Sequence, residues 1–262
     1  MAEAMMSGLL EKKLVEPQNI IASHPRTKRT EELATRLGIR ATTSNREAAR
    51  TADIVLICVK PQRLRNVLQE LNGIIEARQL VISIAAGANI ASIANEIQHP
   101  AVVRAMPNTP AQIGQGISVW VSSPEVSETQ KAQTKAILGA LGREMWFEEE
   151  KFVDMATAIS ASGPAYVFLV MEALIDAAVH LGFSRQDARD LVTQTLLGSV
   201  LFAEASHRHP AELRNMVTSP AGTSAEALYQ LEKGGLRTIL SKAVYAAYQK
   251  TAVLSESMNK KS

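Results

Sequence analysis

Over the first 150 residues, short apolar runs rich in Val and Ile alternate with amphipathic stretches of helical period. That is the pattern of βαβ units feeding a parallel sheet. Strands are expected at residues 19–23, 39–42, 53–59, 79–85, 101–105 and 117–122, and helices at 2–13, 28–37, 45–50, 61–71, 90–98 and 124–141. From Phe152 onward the strand signals stop and helices take over, at 164–181, 184–206 and about 236–254. In the first of these, Val167, Phe168, Val170, Met171, Leu174 and Ile175 cover more than one face, which predicts burial on several sides. Ser160 and Ser162 supply a serine N-cap for it, with Pro164 in the first turn.

The expected fold class is therefore an α/β Rossmann-like dinucleotide-binding domain, residues 1–150, followed by an all-α dimerisation domain, residues 151–262. So few residues with helices this apolar complete their core with a second copy, which predicts a homodimer. The first βαβ unit is incomplete: the chain opens on the helix MAEAMMSGLLEK, with its first strand and Gly-rich G-x-G-x-x-G loop missing. The strands at 19–23 and 53–59 are then expected to face each other unpaired across roughly 10 Å, two strand spacings. Either the natural protein begins upstream and Met1 is an internal methionine, or this is a variant with a damaged cofactor site. The first reading is favoured, because Met1 to Met5 read as the opening turn of a pyrophosphate-facing helix, with small Ala2 allowing close packing on a strand.

Composition narrows the function classes. The net charge of +2, spread over 28 basic and 26 acidic residues, leaves no nucleic-acid footprint, and aromatics at 4% are too few for base stacking. No apolar run is expected to reach the length of a membrane span, and the N-terminus lacks the order of a signal peptide. The single cysteine, Cys58, lies in the apolar run DIVLICV and reads as a buried strand residue; a reducing cytoplasm fits it. The polar tail at 256–262 is expected to fray. His207 and His209 flank Arg208 with no Cys or carboxylate set nearby, so no metal centre is expected.

Candidate chemistry sits at strand ends and in one turn. After the strand at 19–23 come Ser23, His24, Arg26, Lys28 and Arg29 with no acid before Glu31. Hydroxyl and basic groups there favour the 2′-phosphate of NADP over the ribose hydroxyls of NAD; a solvated basic helix start is the competing reading. Lys60-Pro61 and Ala86-Gly87 each follow a strand, where open α/β sheets bind ligands. In RAMPNTP, Pro107 and Pro110 hold Asn108-Thr109 as an extended polar wall for a nicotinamide or substrate. Between two helical stretches, Ser219-Pro220-Ala221-Gly222-Thr223-Ser224 offers hydroxyls and free N–H groups to a small anion such as a carboxylate. An ordinary interhelical turn capped by Thr223 or Ser224 is the alternative. No Ser/His/Asp or Cys/His set appears, which accords with hydride transfer, where a cofactor carries the chemistry.

VKPQ at 59–62, SIAAG at 83–87, MPNTPA at 106–111, SGPAY at 162–166 and VTSPAGTS at 217–224 follow one another in this order, with Leu231-Glu232 and Gly235-Leu236-Arg237 behind them. In these motifs the chain resembles the pyrroline-5-carboxylate reductases over nearly its whole length. The resemblance implies reduction of the cyclic imine 1-pyrroline-5-carboxylate to L-proline, the last step of proline biosynthesis, with NADPH as cofactor and NADH possible, in a cytoplasmic homodimer or a larger assembly of dimers. It implies Ser23 and His24 at the adenosine phosphate, with Asn45 near the adenine ribose; Arg26 joins them from the basic run. It further implies Cys58, Val59, Lys60, Pro61, Ala85, Ala86 and Gly87 along the dinucleotide. The substrate carboxylate belongs at Ser219, Ala221, Gly222 and Thr223, and the Ser224 hydroxyl at the imine nitrogen.

The chain departs from that pattern at several points. Besides the missing first strand and loop, Ala221 replaces a usual glycine of SPGGT, Ala161 replaces the glycine of SGSGPAY, Ser224 stands where threonine is common, and His207 occupies a position where some members carry glutamate. The missing loop bears on cofactor binding and the others on substrate affinity or specificity. Rival readings are a reductase of another small imine or keto acid, and a non-catalytic or regulatory dimer.

Overall fold

The computed structural model describes the backbone of residues 1–259 and the side chains of residues 1–253. Two compact units emerge: Met1–Pro164 together with the end of the chain from Ala246, and Ala165–Tyr245.

In the first unit β1 (Ile21–Ser23) and β2 (Arg40–Thr42) form a parallel pair. A separate five-stranded sheet runs in chain order through β3 (Ile54–Ile57), β4 (Leu80–Ser83), β5 (Val102–Pro107), β6 (Gly116–Ser122) and β7 (Gly142–Trp146). Among the described residues no strand joins β1 to β3, and the sheet is split where the missing first strand was expected to leave it.

Two expectations about the sheet are corrected. β6 runs antiparallel to β5, because only the short 3-10 turn Thr109–Ile113 links them, whereas a parallel crossover needs a dozen residues or more. β7, which pairs parallel to β6, was not foreseen. It is an edge strand whose middle carries Arg143 and Glu144, so it lacks an apolar run, and it closes on β6 through two glycines, Gly116 opposite Gly142. Gly142 has φ +136, and a Cβ there would overlap the Gly116 backbone.

Successive strand residues turn to opposite faces. Val81 and Val102 join Leu64, Leu68, Leu71, Ile93 and Ile97 of helices α4 (Pro61–Leu71) and α5 (Ile90–Ile97). Leu80, Ile82 and Val103 face the other way, onto Met5 of α1 (Ala2–Glu11) and Leu138 of α6 (Glu128–Gly139). Each fully buried Leu or Ile in these layers contributes about 1.5–3 kcal/mol. α1 sits close because Gly8 has no side chain: a Cβ there would lie 2.8 Å from the Ala140 carbonyl oxygen. The two-stranded sheet has its own small core of Met6, Leu33 and Ile39, formed with α2 (Thr27–Leu37). Arg29 and Arg36 of α2 both pair with Glu3 of α1. The short α3 (Asn45–Arg50) follows β2.

α7 (Lys151–Ala156) runs into a π-helical turn, Thr157–Ala161, and on into α8 (Gly163–His180). The expected serine N-cap is thus corrected: Ser162 Oγ donates to the Thr157 carbonyl at 2.9 Å, and the helix continues rather than begins. Also corrected is the expectation that no stretch suits a membrane span. Lys151–His180 is 30 residues long with a mean hydropathy of 1.6 in its most apolar window, enough by length and composition. Glu172 and Asp176 interrupt the apolar run in the sequence, but two charges do not outweigh so many apolar neighbours.

The second unit holds the rest of α8 with α9 (Arg185–Ser206), α10 (Pro210–Met216), α11 (Thr223–Lys233) and the first part of α12 (Leu236–Asn259). Burial of α8 on several sides is not found within one chain: Phe168 is 59% and Leu169 66% exposed. The same holds for Leu197, Val200, Leu201 and Phe202 of α9, each more than half exposed. Of the tail expected to fray, the backbone is helical to Asn259, and residues 260–262 lie outside the described residues.

Candidate active site

At the end of the two-stranded sheet, Ser23, His24, Arg26 and Asn45 come together. Ser23 Oγ donates to Asn45 Oδ1 at 2.6 Å, and Asn45 Nδ2 donates to Glu70 Oε2 at 2.7 Å. Asn45 is in place because Ser44 caps α3, accepting from Glu47 N at 3.2 Å. The His24 backbone N–H donates to the Thr42 carbonyl, while its ring Nδ1 accepts from Arg26 N at 3.1 Å. Arg26 is the N-cap of α2 and makes no capping bond with its side chain, so the helix presents free N–H groups at this corner. Arg29 is spoken for by Glu3 and Glu32, and its hydrogen bond to Glu32 raises its pKa. Arg26 and Lys28 form no ion pair with any described residue.

Three adjacent strands, β3, β4 and β5, carry the next group at their C-terminal ends. Cys58, Val59 and Lys60 follow β3, and Pro61 presets the first turn of α4. Cys58 Sγ approaches Met5 Sδ at 3.7 Å, and burial pushes the thiol up to about 12. Cys58 is half-buried and lies just past β3 rather than within it, which corrects the expected buried strand residue, and a thiol pushed up in this way is a poor nucleophile. Ala85, Ala86 and Gly87 follow β4; Ala85 N donates to Ser83 Oγ at 3.3 Å, and Gly87 has φ +78, where a side chain would be strained.

Asn108, after β5, has its amide engaged on both sides. Oδ1 accepts from Ile117 N at 2.9 Å and Nδ2 donates to the Ser160 carbonyl at 3.2 Å. That carbonyl lacks a helical partner because Pro164, four residues on, has no N–H to give. The side chain thus braces β5, β6 and the π-helical turn.

In the second unit the turn from Ser219 to Ser224 separates α10 from α11. Gly222 is the N-cap of α11 and has no side chain to cap with, so neither Thr223 nor Ser224 serves as cap. The N–H groups of Ala225 and Glu226 bond to the Gly222 carbonyl, and those of Thr223 and Ser224 open the positive end of the helix. Ala221 lies in the left-handed region at φ +56. Gly222 has no room for a Cβ, which would meet Ser219 Oγ at 2.5 Å and the Ser219 carbonyl oxygen at 3.1 Å.

Sequence reasoning passed over a buried charge cluster. Arg104 on β5 is 1% exposed; Nη1 donates to Glu150 Oε1 at 2.9 Å and Nη2 to Asp154 Oδ1 at 2.5 Å. An arginine inside the apolar run AVVRAM was the available signal.

Comparison with known proteins bears on both units. Residues 150–254 match the family model for pyrroline-5-carboxylate reductase dimerisation, and residues 1–87 that for NADP oxidoreductase, coenzyme F420-dependent. A pyrroline-5-carboxylate reductase of Pseudomonas aeruginosa is 40% identical over 259 residues, covering 98% of this chain and 94% of the relative. One from Pisum sativum is 34% identical over 255 residues, 97% of this chain and 93% of the relative. Among solved structures, a pyrroline-5-carboxylate reductase from Coxiella burnetii superposes with a TM-score of 0.90 at 35% identity, covering 97% of this chain and 94% of that one. The Plasmodium falciparum pyrroline carboxylate reductase with NADP bound gives 0.88 at 34%, covering 96% and 93%.

Proposed function

The chain belongs to the pyrroline-5-carboxylate reductase family, and from that premise we propose that it reduces 1-pyrroline-5-carboxylate to L-proline with NAD(P)H, closing proline biosynthesis. The observation that carries the site reading is the uncapped start of α11 behind a turn of small residues. A carboxylate is the ligand that such a start favours, through free N–H groups and the positive end of the helix dipole. Ser219, Ala221, Gly222 and Thr223 hold the substrate carboxylate in this reading, and the Ser224 hydroxyl bears on the imine nitrogen, which gains a proton as the ring carbon is reduced.

The residues of the first unit fit a nicotinamide dinucleotide phosphate. Ser23, His24, Arg26 and Asn45 gather at a helix start that no side chain caps, as a phosphate on the adenosine requires. Ala85 to Gly87 are small, Cys58, Val59 and Pro61 are neutral, with the thiol held protonated, and Lys60 adds a positive charge, all at the ends of neighbouring strands. When bound, the cofactor supplies the hydride. NADPH is the preferred form and NADH a possible one, because no acid of the β1 end competes with a 2′-phosphate before Glu31.

The family's dimerisation domain and the exposed apolar faces of α8 and α9 support a homodimer, which further assembly could extend. A cytoplasmic site of action follows the single cysteine, which has no partner for an intrachain disulfide.

Ser224→Ala tests the turn. Turnover of the imine should fall by about tenfold or more, the loss of one hydrogen bond made at the reacting atom, with NADPH affinity intact. Equal losses in both would make the turn structural and remove Ser224 from the reaction.

A further inference from the structure

We infer that Glu150 is a positioning residue for the cofactor: its carboxylate locks the loop Ala85–Gly87 to β5 through a single shared oxygen. Glu150 Oε1 accepts from the Ile90 backbone N–H at 2.8 Å and from Arg104 Nη1 at 2.9 Å. Ile90 is the first residue of α5, two positions beyond Ala88 and three beyond Gly87. Asn89 satisfies a different N–H of the same helix start, that of Ser92 at 2.7 Å. The two side chains thus divide the orphan donors of α5 between them, and the negative one also meets the positive end of the helix dipole.

The other end of the contact is equally constrained. Arg104 is buried on β5, and its Nε has no partner among the described residues, so the guanidinium depends on Glu150 and Asp154 for its charge balance. Four residues further on, just past the end of the strand, Asn108 braces the π-helical turn that follows α7. β5 therefore grips the stretch from Glu150 to Ala161 at both ends; Ala86 and Ile90 pack against Val153 and Met106 there, and Glu150 adds the hydrogen bond that ties the first N–H of α5 to the same grip. Asp154 pairs with the same arginine at a comparable distance but bonds nothing on α5. The two acids are alike in supporting Arg104 and differ in the loop, which makes them a matched pair.

The inference rests on the cofactor reading of Ala85–Gly87, and the experiment separates the two. In the full chain, Glu150→Ala, Glu150→Gln and Asp154→Ala are compared by amide hydrogen exchange of residues 86–92 without cofactor, and by NADPH titration. Both alanine variants should lower the melting temperature. Glu150→Ala alone should speed exchange in residues 86–92 and weaken NADPH by about tenfold, the worth of a charged hydrogen bond. Glu150→Gln, which keeps the acceptor oxygen but not the charge, should restore part of both. Equal exchange in Glu150→Ala and Asp154→Ala would overturn the positioning role. Faster exchange with unchanged NADPH affinity would overturn its bearing on the cofactor. An unmodified chain that fails to bind NADPH defeats the cofactor reading itself, while the exchange comparison still decides whether Glu150 sets the loop.

Discussion

Ala221 adopts φ +56 in a turn whose neighbour, Gly222, could take a side chain only if Ser219 moved. A left-handed conformation costs an ordinary L-residue about 1–2 kcal/mol, through the clash of its Cβ with the following carbonyl. Glycine escapes that cost but loses about 0.4–1 kcal/mol to the greater freedom of its unfolded chain. The residue is exposed, so its methyl group contributes little burial in exchange. Ala221→Gly should therefore stabilise the chain by about 0.5–1 kcal/mol. For a protein of this size that is a rise of about 1–4 °C in melting temperature. Chemical denaturation provides the assay: the urea midpoint should move up with the slope unchanged. The imine KM should stay level or fall, since the turn already holds the shape glycine prefers. A midpoint that drops would mean that the methyl group makes a contact worth more than the strain, and the account of the turn given above would be wrong.

Two further outcomes are expected. Arg26→Glu should weaken NADPH more than NADH if, as proposed, the cation at the start of α2 meets the 2′-phosphate that NADH lacks; unchanged discrimination in competitive titrations would take Arg26 out of the phosphate site. Cys58 should resist iodoacetamide at pH 8 in the folded chain and react once unfolded, since its thiol is pushed up to about 12. The unfolded thiol loses its proton near pH 8.5 while the folded one keeps it, so stability should decline as pH climbs from there toward 12. Cys58→Ala should flatten that decline, and native labelling at the rate of a free thiol would contradict it.

What the sequence made legible was whatever depended on neighbours in the chain. The apolar periods around Val81 and Val102 located β4 and β5, and the break between Met216 and Ala225 located the turn. The family resemblance rested on motifs that are local too. What escaped depended on distant residues. Arg104 meets Glu150 and Asp154 across 46 and 50 positions, and nothing near either acid announces the arginine. β7 exists because Gly142 can close on Gly116, a match that no period within 142–146 reveals. The π-helical turn answers to Pro164 and Asn108 together, and the serines that looked like a cap bond backward along the helix instead. The left-handed Ala221 was visible only as a departure from a usual glycine; its angle had to come from the structure.

The split sheet has a consequence for how the molecule holds together. β1 and β2 share no backbone hydrogen bond with the other five strands, so their lobe is joined to the rest by side chains: the Met6, Leu33 and Ile39 cluster, the Glu3 pairs, and the bond from Asn45 to Glu70. Such a lobe is expected to open as a subglobal unit at a lower free energy than the sheet beside it, which amide hydrogen exchange of β1 and β2 against β4 and β5 would read. A ligand that binds only its closed form shifts that equilibrium by mass action. On the proposed reading the dinucleotide does more than bring electrons to the reaction: bound, it should act as a removable part of the fold, and the chain should melt and digest less readily with it than without it.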